Sequence, residues 1–409
     1  MIIFDQIEDD KMKLTQEEQD MLDGKYGKAV KKSMEILTTL GDIYGAEKMV
    51  PISSVQVAGV SYANLGEAGL DFLKDLAEDG KVRVLTTLNP AGIDRENYKV
   101  LGISEEFAIN QGRVIDAFAA MGIITTCTCT PYFIGNVPHF GEHIAWAESS
   151  AVAYSNSVLG ARTNREGGPS ALAAALTGRT PMYGLHLDEN RQPLVLINVE
   201  TEIIGTDQYG ILGKVIGDQL DKIGLKIPYI KGIVSASVEE LKSFGASVAT
   251  YGGVALYHME NVTPEASKVN IPNDHVITIT AEDIKRGKAE LTSEDAEIDF
   301  VSIGCPHASL NELKLVAELL EGKKVQKEFW ITTARPIKKL ADQVGYSKII
   351  EEAGAKFAAD TCCVVAPIKG MFKGMMIDSA KGCYYAHGKN KMKIKIGSIV
   401  ECVEEACRK

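Results

Sequence analysis

The residues best suited to chemistry in this chain are cysteines that follow predicted strands. Eight cysteines occur among the 409 residues, and five of them come directly after β-like segments: Cys127, Cys129, Cys305, Cys362 and Cys363. Thiolates supplied one or two at a time by separate loops form a metal site that tertiary structure assembles, because soft sulfur ligands select iron–sulfur clusters, zinc or copper(I). The sequence therefore indicates a metal centre built from several loops.

Other interpretations of these cysteines remain open on the residues alone. The chain has no Cys-x-x-Cys motif, and buried thiols often serve only as small apolar side chains. Zinc held by Cys129, Cys305 and His307 would leave an open catalytic position, but it would not explain the adjacent cysteines at 362 and 363. A disulfide between those two is disfavoured by geometry. The cysteines away from strand ends, expected to be structural, are Cys383, Cys402 and Cys407.

Two polar loops are candidate anion sites. Gly59, Val60 and Ser61 come before a predicted helix, and a helix N-terminus favours phosphate or carboxylate because of its free N–H groups and its macrodipole. The loop around Asn89 and Pro90 is similar in character, since an asparagine can both donate and accept hydrogen bonds. Neither loop matches a P-loop or a dinucleotide-binding motif, and each could also be an ordinary capped turn.

Several other polar side chains allow both a functional and a structural interpretation. Glu148 and Ser149 open a helix-like segment, where capping is the structural alternative. Arginines can clamp a carboxylate through two hydrogen bonds, or they can connect two loops. The basic residues of this group are Arg162, Arg165, Arg335, His139, His143 and His307.

An α/β fold would position these side chains, because short β-like segments alternate with amphipathic helices along the chain. The predicted strands lie at 48–52, 82–85, 122–124, 195–199, 229–235, 275–280, 299–303, 329–332 and 356–360. The predicted helices lie at 14–45, 68–78, 104–121, 238–244 and 281–287. Two more helices are predicted directly after the strands at 299–303 and 329–332.

The length of the chain allows two or three domains, and the pattern divides it into α/β domains at 1–200, 201–297 and 298–409. The segment 143–184 is rich in small residues and is expected to be buried, so its polar side chains need partners inside the protein. Ligands of α/β sheets gather beyond the carboxyl ends of the strands. We therefore expect the cysteine loops and the polar loops to surround one cleft.

Composition excludes several classes of protein. The 44 lysines and arginines against 55 aspartates and glutamates give a net charge of −11, and without a basic face nucleic-acid binding is not expected. The N-terminus lacks the order of a signal peptide, and no apolar run reaches the roughly 18 residues of a membrane span. We therefore expect a cytoplasmic protein, neither exported nor inserted in a membrane, whose cysteines are reduced.

Five segments of the chain resemble the large, catalytic part of the aconitase X family. They are 129–132 (Cys-Thr-Pro-Tyr), 141–151, 156–170, 304–307 (Gly-Cys-Pro-His) and 360–362 (Asp-Thr-Cys). The resemblance begins near residue 14 and continues into the C-terminal region. It implies an aconitase-like fold, with several α/β domains around a central cleft that contains an iron–sulfur cluster.

The resemblance implies a hydro-lyase, a dehydratase whose cluster is held by Cys129, Cys305 and Cys362. The cluster would be a 4Fe-4S or a 3Fe-4S cluster, and an iron without a protein ligand would act as a Lewis acid on the leaving hydroxyl. Cys127 and Cys363 lie beside the implied ligands and could substitute for them.

Two substrates are implied by the resemblance. One is mevalonate 5-phosphate, dehydrated to anhydromevalonate phosphate in the archaeal mevalonate pathway of isoprenoid biosynthesis; the other is cis-3-hydroxy-L-proline. The loop at 59–62, which suits a phosphate, favours mevalonate 5-phosphate. The residues implied in substrate binding are Gly59, Val60, Ser61, Asn89, Pro90, Glu148 and Ser149. Those with an expected catalytic role are Glu148, Ser149 and Lys381.

The resemblance also implies a partner. In the aconitase families a serine on a small swivelling domain is associated with proton removal, and in some aconitase X proteins that domain is a separate small subunit. This chain shows no obvious counterpart of it, so we expect a heterodimer and no activity of this chain alone. A non-catalytic subunit that binds an anionic metabolite is the alternative from another class, and a zinc hydrolase is a third possibility.

Overall fold

The computed structural model describes residues 12–409, which fold into parallel β-sheets flanked by helices. The predicted α/β fold is confirmed. Residues 1–11, on which the expectation about a signal peptide rests, lie outside the described residues.

The first α/β unit extends from residue 12 to about residue 191. Its elements are α1 (Gln16–Leu22), α2 (Lys28–Tyr44), β1 (Met49–Pro51), β2 (Ser54–Val57), α3 (Tyr62–Ala77), β3 (Leu85–Leu88), α4 (Glu105–Ala120), β4 (Ala145–Trp146), α5 (Ser149–Tyr154), α6 (Gly168–Thr177) and β5 (Arg179–Pro181). A parallel sheet has the strand order β3-β2-β4, and β1 pairs with β5 in a separate antiparallel ribbon.

Of the strands predicted for this unit, the one at 48–52 contains β1, whereas the one at 82–85 is shifted to 85–88. The central strand β2 lies where the pattern predicts a loop, and the predicted strand at 122–124 is only a bridge between Thr87 and Ile124. The reason is that buried polar residues occur in these strands. The Gln56 amide donates to the carbonyl oxygen of Thr128 (2.7 Å) and accepts from the Thr87 hydroxyl (2.5 Å). Internal hydrogen bonds thus allow polar residues in a buried sheet.

The predicted single helix at 14–45 is also wrong, since it is divided into α1 and α2 by a turn at 23–27. Gly24 and Gly27 have φ angles of 86° and 100°, which L side chains rarely adopt. The N–H of Lys28, the first residue of α2, donates to the Asp79 carboxylate at 2.6 Å. The turn therefore places both helices against the rest of this unit.

The middle unit contains a four-stranded parallel sheet in the order β8-β7-β6-β9. Its elements are β6 (Val195–Val199), α7 (Gly205–Ile223), β7 (Pro228–Lys231), α8 (Val238–Gly252), β8 (His258–Met259), β9 (Val276–Ile279) and α9 (Ala281–Glu290). The sequence pattern missed α7, although this helix packs along α8. No helix within residues 12–409 combines the length and the apolar character needed to cross a bilayer.

The last unit contains a five-stranded parallel sheet in the order β12-β11-β10-β13-β14. Its elements are β10 (Phe300–Ala308), α10 (Leu310–Leu320), β11 (Glu328–Thr333), α11 (Arg335–Gln343), α12 (Tyr346–Ala353), β12 (Lys356–Ala359), β13 (Gly374–Ile377), α13 (Ala380–Gly388), β14 (Lys393–Ile396) and α14 (Ile399–Cys407). The pairing of β10 with β11 is irregular between Ile303 and Ala308. This irregular stretch contains one of the candidate cysteines.

One continuous apolar core joins the three units. It contains Trp146 of the first unit, Phe244 and Tyr257 of the middle unit, and Phe300 and Trp330 of the last unit, and all five side chains are buried. Because burial of apolar area is the main stabilising contribution in folding, this shared core fixes the loops of the three units relative to one another. The domain boundaries given above stay a prediction.

His143, a candidate site residue in the sequence, is instead half-buried and pairs with the buried His186. Their Nδ1 atoms are 2.9 Å apart, so one ring donates and the other accepts. Burial and then the neighbouring charges of His143, Arg191 and Arg162 lower the pKa of His186 to about 3. His139, by contrast, is exposed and pairs with Glu142.

The His186→Gln substitution should flatten the pH dependence of stability. The unfolded chain binds a proton at this histidine below about pH 6.5, whereas the folded chain binds it only near about pH 3. The stability that the neutral ring contributes is thus complete above pH 6.5 and is lost as the pH falls, by on the order of several kcal/mol. Thermal unfolding midpoints between about pH 7.5 and 4.5 would measure this loss.

The exposed His139 provides the matched control, because His139→Gln should keep the wild-type profile. A His186→Gln profile that stays parallel to the wild type would contradict the assignment of the acid sensitivity to this pair.

Candidate active site

A cavity of about 280 Å³ lies where the carboxyl ends of strands from the first and last units meet. Pro90 follows β3 by two residues, Glu148 follows β4 by two, and Cys362 follows β12 by three. The residues that line it are Asn64, Asn89, Pro90, Cys129, Glu148, Ser149, Gly304, Cys305, Pro306, Cys362, Val364, Val365, Lys381, Tyr385 and Lys389. The structure therefore brings most of the predicted site residues to one place, as expected for a parallel sheet.

Three cysteines from three loops face this cavity. Cys129 follows a segment held to β3 by the hydrogen bond from the Thr128 N–H to the carbonyl oxygen of Leu88 (2.9 Å). Cys305 lies in the irregular part of β10, and Cys362 lies in the loop after β12. All three side chains are buried. Their thiols thus line one cavity, although the first and the last of the three cysteines are 233 positions apart in the sequence.

The surroundings of these thiols suit sulfur ligands. Burial, and after it the charge of neighbouring Glu148 and Cys362, raises the pKa of Cys129 to about 12, so a thiolate there needs a compensating cation. The His307 N–H already donates to Cys129 Sγ at 3.3 Å. Backbone N–H groups of Val364 and Val365 likewise act to lower the pKa of Cys362, although burial raises it overall. Soft thiolates with N–H donors fit an iron–sulfur cluster.

The other cysteines are placed differently. Cys127 and Cys363, the possible substitutes, are buried but are not among the residues that line this cavity. Cys402 and Cys407 lie on α14, and Cys383 lies on α13 and lines a neighbouring pocket. The set that faces the cavity is therefore Cys129, Cys305 and Cys362.

The zinc interpretation fails at His307. Its Nδ1 is 2.9 Å from the Thr128 hydroxyl, and its Nε2 is 2.9 Å from the carbonyl oxygen of Thr361. Both ring nitrogens are thus occupied, and burial lowers the pKa of His307 to about 4, which keeps the ring neutral. Its role is structural, because it connects the loops of Cys129 and Cys362.

A buried ion pair forms one wall of the cavity. Lys381 Nζ is 2.5 Å from Glu148 Oε1, and it also contacts the Ser150 hydroxyl. Burial raises the pKa of Glu148, but the Lys381 ammonium and hydrogen bonds from Ala151 and Ser150 outweigh it, so the net shift is downward. Burial likewise lowers the pKa of Lys381, and Glu148 more than reverses this. The pair therefore stays ionised.

Glu148 also caps α5, as its structural interpretation predicts. Its Oε2 accepts the Ala151 N–H at 2.7 Å. Ser149, the first residue of α5, lines the cavity and is only partly buried. The capping role is thus observed, and the same cap presents Ser149 to the cavity.

The loop at 59–61 lies one layer away from the cavity. Ser61 does not cap α3 with its side chain; its hydroxyl donates to the carbonyl oxygen of Val365, a lining residue, at 3.4 Å. Val60 is buried and Gly59 is exposed. Asn64, three residues after Ser61, reaches the cavity itself.

Five further lining residues carry no functional signal of their own in the sequence pattern: Asn64, Val364, Val365, Tyr385 and Lys389. Lys381, Tyr385 and Lys389 are spaced by four residues, which places them on one side of a helix. That signal was available, but the pattern did not predict α13. Lys389 Nζ donates to the carbonyl oxygen of Val364 at 2.8 Å, with no carboxylate within ion-pair distance among residues 12–409.

The candidate arginines connect loops and do not line the cavity. Arg335 binds Asp94 Oδ1 and Asp360 Oδ2, each at 2.6 Å, and so joins the first and last units next to Cys362. Arg162 pairs with Asp188 and Glu265. Arg165 donates to the carbonyl oxygen of Gly253. The sequence alone allows these arginines either to bind a substrate carboxylate or to connect loops. In the structure they connect loops.

Family profiles cover nearly all of the described chain. Residues 11–189 match the aconitase X first domain, residues 193–288 match the aconitase X second domain, and residues 298–408 match the aconitase X third domain. A crystal structure of Thermococcus kodakaraensis aconitase X in its holo form superposes with a TM-score of 0.90 at 45% identity, covering 97% of this chain and 100% of that one.

Curated relatives have two different names. The phosphomevalonate dehydratase large subunit of Methanocaldococcus jannaschii is 48% identical over 96% of this chain and 100% of its own length. The cis-3-hydroxy-L-proline dehydratase of Hypocrea jecorina is 31% identical over 97% of this chain, but only 69% of that protein is covered. Both relatives are named as dehydratases.

Removal of Lys381 alone should destabilise the protein strongly. The Lys381→Met variant leaves an ionised, buried Glu148 without its partner, which costs about 3–5 kcal/mol in buried pairs. The double variant Lys381→Met with Glu148→Gln leaves no charge behind and should recover part of this loss. The midpoint of thermal unfolding of each variant would measure both effects.

The exposed pair Lys348–Glu352 offers a control, since Lys348→Met should leave the midpoint unchanged. Equal midpoints for the single and double site variants would show that the pair does not behave as a coupled unit.

Proposed function

The chain belongs to the aconitase X family, and from this we propose that it is the large, catalytic subunit of an iron–sulfur hydro-lyase. It dehydrates mevalonate 5-phosphate to anhydromevalonate phosphate, a step of an archaeal-type mevalonate route. The observation that carries this proposal is that Cys129, Cys305 and Cys362 line one cavity beside the ionised Glu148–Lys381 pair.

The relatives favour this substrate over cis-3-hydroxy-L-proline. Curated phosphomevalonate dehydratase large subunits are 35–48% identical to this chain, whereas the two cis-3-hydroxy-L-proline dehydratases are 31–32% identical. The chain also aligns with 100% of the large subunit from Methanocaldococcus jannaschii, but with only 69% of the hydroxyproline enzyme from Hypocrea jecorina. Hydroxyproline dehydration remains the second candidate because the same domains occur there.

The cluster would be held by Cys129, Cys305 and Cys362, and 4Fe-4S is the favoured form, with 3Fe-4S as the other. A cluster bound there supplies a Lewis-acidic iron that stabilises the charge developing on a leaving hydroxyl. Within residues 12–409 no three His, Cys, Asp or Glu side chains converge on a single-ion site. Cys129, Cys305 and Cys362 would each supply one thiolate to such a cluster.

Glu148, Ser149 and Lys381 bind and orient the substrate. Lys381 keeps its proton and offers a cation to a substrate carboxylate or to developing negative charge. Glu148 keeps its negative charge, so it accepts a hydrogen bond from a substrate hydroxyl more readily than it takes a proton. Ser149 adds a hydroxyl at the N-terminus of α5. The base that removes the proton is then expected on the partner.

The remaining polar lining of the cavity suits the phosphate. This lining contains Asn64, Asn89 and Lys389 together with Tyr385. Partial desolvation beside the cavity lowers the pKa of Lys389 although the residue is exposed overall, and a bound phosphate would offset this cost by pairing with the ammonium. Mevalonate 5-phosphate has a carboxylate and a phosphate, and the cavity has a lysine at each of two positions.

A small subunit completes the enzyme. The name "large subunit" of several relatives implies such a partner. Its swivelling domain would cover the cavity and contribute the serine for proton removal. The reduced thiols and the cluster are consistent with a cytoplasmic location.

Anaerobic co-purification with the candidate small subunit should give a brown complex that dehydrates mevalonate 5-phosphate but not cis-3-hydroxy-L-proline. Cys305→Ser should remove iron, visible absorbance and turnover together, because one ligand of the cluster is lost. Cys407→Ser is the control and should keep all three, because Cys407 is at the C-terminal end of α14 and does not line the cavity.

Turnover of hydroxyproline alone would move the assignment to the second candidate. A colourless complex without iron that binds mevalonate 5-phosphate but does not convert it would favour a non-catalytic binding subunit, and stoichiometric zinc would favour a hydrolase.

Lys389→Met should weaken substrate binding more than it slows the chemical step. Loss of one charge-assisted contact to a phosphate costs about 1.5–3 kcal/mol, which corresponds to a KM higher by roughly tenfold or more with a smaller change in kcat. Steady-state kinetics of the complex would measure both constants. Lys391→Met, at an exposed lysine two residues away, should leave them unchanged; an equal effect of the two variants would exclude a phosphate contact at Lys389.

A further inference from the structure

We propose that Lys242 of the middle unit is a positioning residue that tunes the Cys129 ligand through one peptide group. The ammonium of Lys242 binds the carbonyl oxygen of Pro306, and the N–H of the same peptide unit donates to the Cys129 sulfur. This inference rests on the proposed cluster with Cys129 as a ligand, and not on the identity of the substrate.

Lys242 is an unusual residue in its surroundings. It lies on α8, its side chain is 3% exposed, and its Nζ is 2.5 Å from Glu312 Oε2. The same Nζ also lies 3.3 Å from the carbonyl oxygen of Pro306 and 3.2 Å from that of His307. Buried lysines are costly unless they are paired, yet an ion pair alone would not require contacts to these two carbonyls.

The two carbonyls belong to the cysteine loop of the last unit. The peptide between Pro306 and His307 has its carbonyl oxygen near Lys242 and its N–H directed to Cys129 Sγ, at 3.3 Å. A cation on the oxygen side of a peptide polarises its N–H, because hydrogen bonds in a chain strengthen one another in a low-dielectric interior. Lys242 thereby strengthens the N–H donor to the sulfur.

Glu312 balances the charge without cancelling this effect. Its Oε2 also accepts the Ser309 N–H at 2.8 Å, so its negative charge is shared with the start of α10. Lys242 has direct contact with the Pro306 carbonyl, whereas Glu312 reaches that peptide only through Lys242. The closer charge dominates at such short range.

The expected consequence is a higher reduction potential of the cluster. Hydrogen bonds to the cluster sulfurs help to set this potential. Groups that hydrogen-bond to the metal ligands also matter for binding, since their loss changes metal affinity by about 10–100-fold. Stronger donation to Cys129 Sγ stabilises the reduced, more negative form. Lys242 connects the middle unit to a cluster that the other two units would hold.

The test uses the anaerobically reconstituted heterodimer. In Lys242→Met the equilibrium constant for cluster reduction should fall roughly tenfold, about 59 mV for one electron, as measured by spectroelectrochemistry. Lys214→Met is the matched control, since Lys214 is another buried lysine of the middle unit that pairs with Asp218 and Glu290 and does not contact the cysteine loop. The reduction potential of the cluster in Lys214→Met should equal that of the wild type.

A second comparison applies if Lys242→Met does not fold with a full cluster. Glu312→Gln and the double variant Lys242→Met with Glu312→Gln differ only at residue 242, and the double variant leaves no buried carboxylate unpaired. The double variant should have the lower potential of the two.

Equal potentials within each pair, at normal iron content, would overturn the role of Lys242. Failure of the proposed cluster is a different result: the wild type would then lack iron, or Cys129→Ser would keep its full cluster.

Discussion

The requirement that three thiols from distant parts of the chain face one buried cavity governs this structure. A thiol in such a place is protonated by preference, since burial raises the pKa of Cys129, Cys305 and Cys362 alike. The site can therefore serve as a ligand set only if the loops are held in place by other contacts. These contacts have to come from the protein, because sulfur-to-sulfur repulsion between thiolates would separate the loops.

Buried ion pairs across the unit boundaries supply these contacts. Lys381 of the last unit pairs with Glu148 of the first, and Arg335 of the last unit pairs with Asp94 of the first beside the Cys362 loop. Lys242 of the middle unit holds the loop of Cys305. Each pair has a side chain on one unit and a target on another. Buried pairs contribute little net stability but penalise wrong arrangements strongly, so they specify how the units meet.

The sequence predicted the structure well where apolar residues recur with a regular period and where reactive residues such as cysteine mark a site. The strand at 195–199 and the helix at 105–120 were predicted almost to the residue. The cysteines that reach the cavity were indicated by their place after predicted strands and in segments that resemble the family, although Cys305 in fact lies inside β10. Prediction failed where polar residues are buried. Gln56 and Thr87 satisfy each other inside the sheet, a pairing over 31 residues that no local pattern reveals.

The positions of the lysines near the cavity were also hard to predict from the local sequence. Lys242 and Lys389 look like ordinary surface residues in the sequence, and Lys381 was indicated only through the family resemblance. Their distinct positions depend on α8 and α13, which pack against the cavity loops. Their partners are 25–233 residues away. Whether a residue is buried depends on which distant parts of the chain pack around it. Local secondary-structure propensity carries no information about these distant parts.

The distance along the chain between Glu148 and Lys381 has a consequence for biosynthesis. The two residues are separated by 233 positions, and the last cavity cysteine, Cys362, is also made late. During translation the N-terminal units fold first, so the Cys129 loop is formed while its opposing wall has not yet left the ribosome. The cavity is closed only when α13 docks. Loading of the proposed cluster would therefore follow synthesis, because a nascent chain has no complete cavity to receive it.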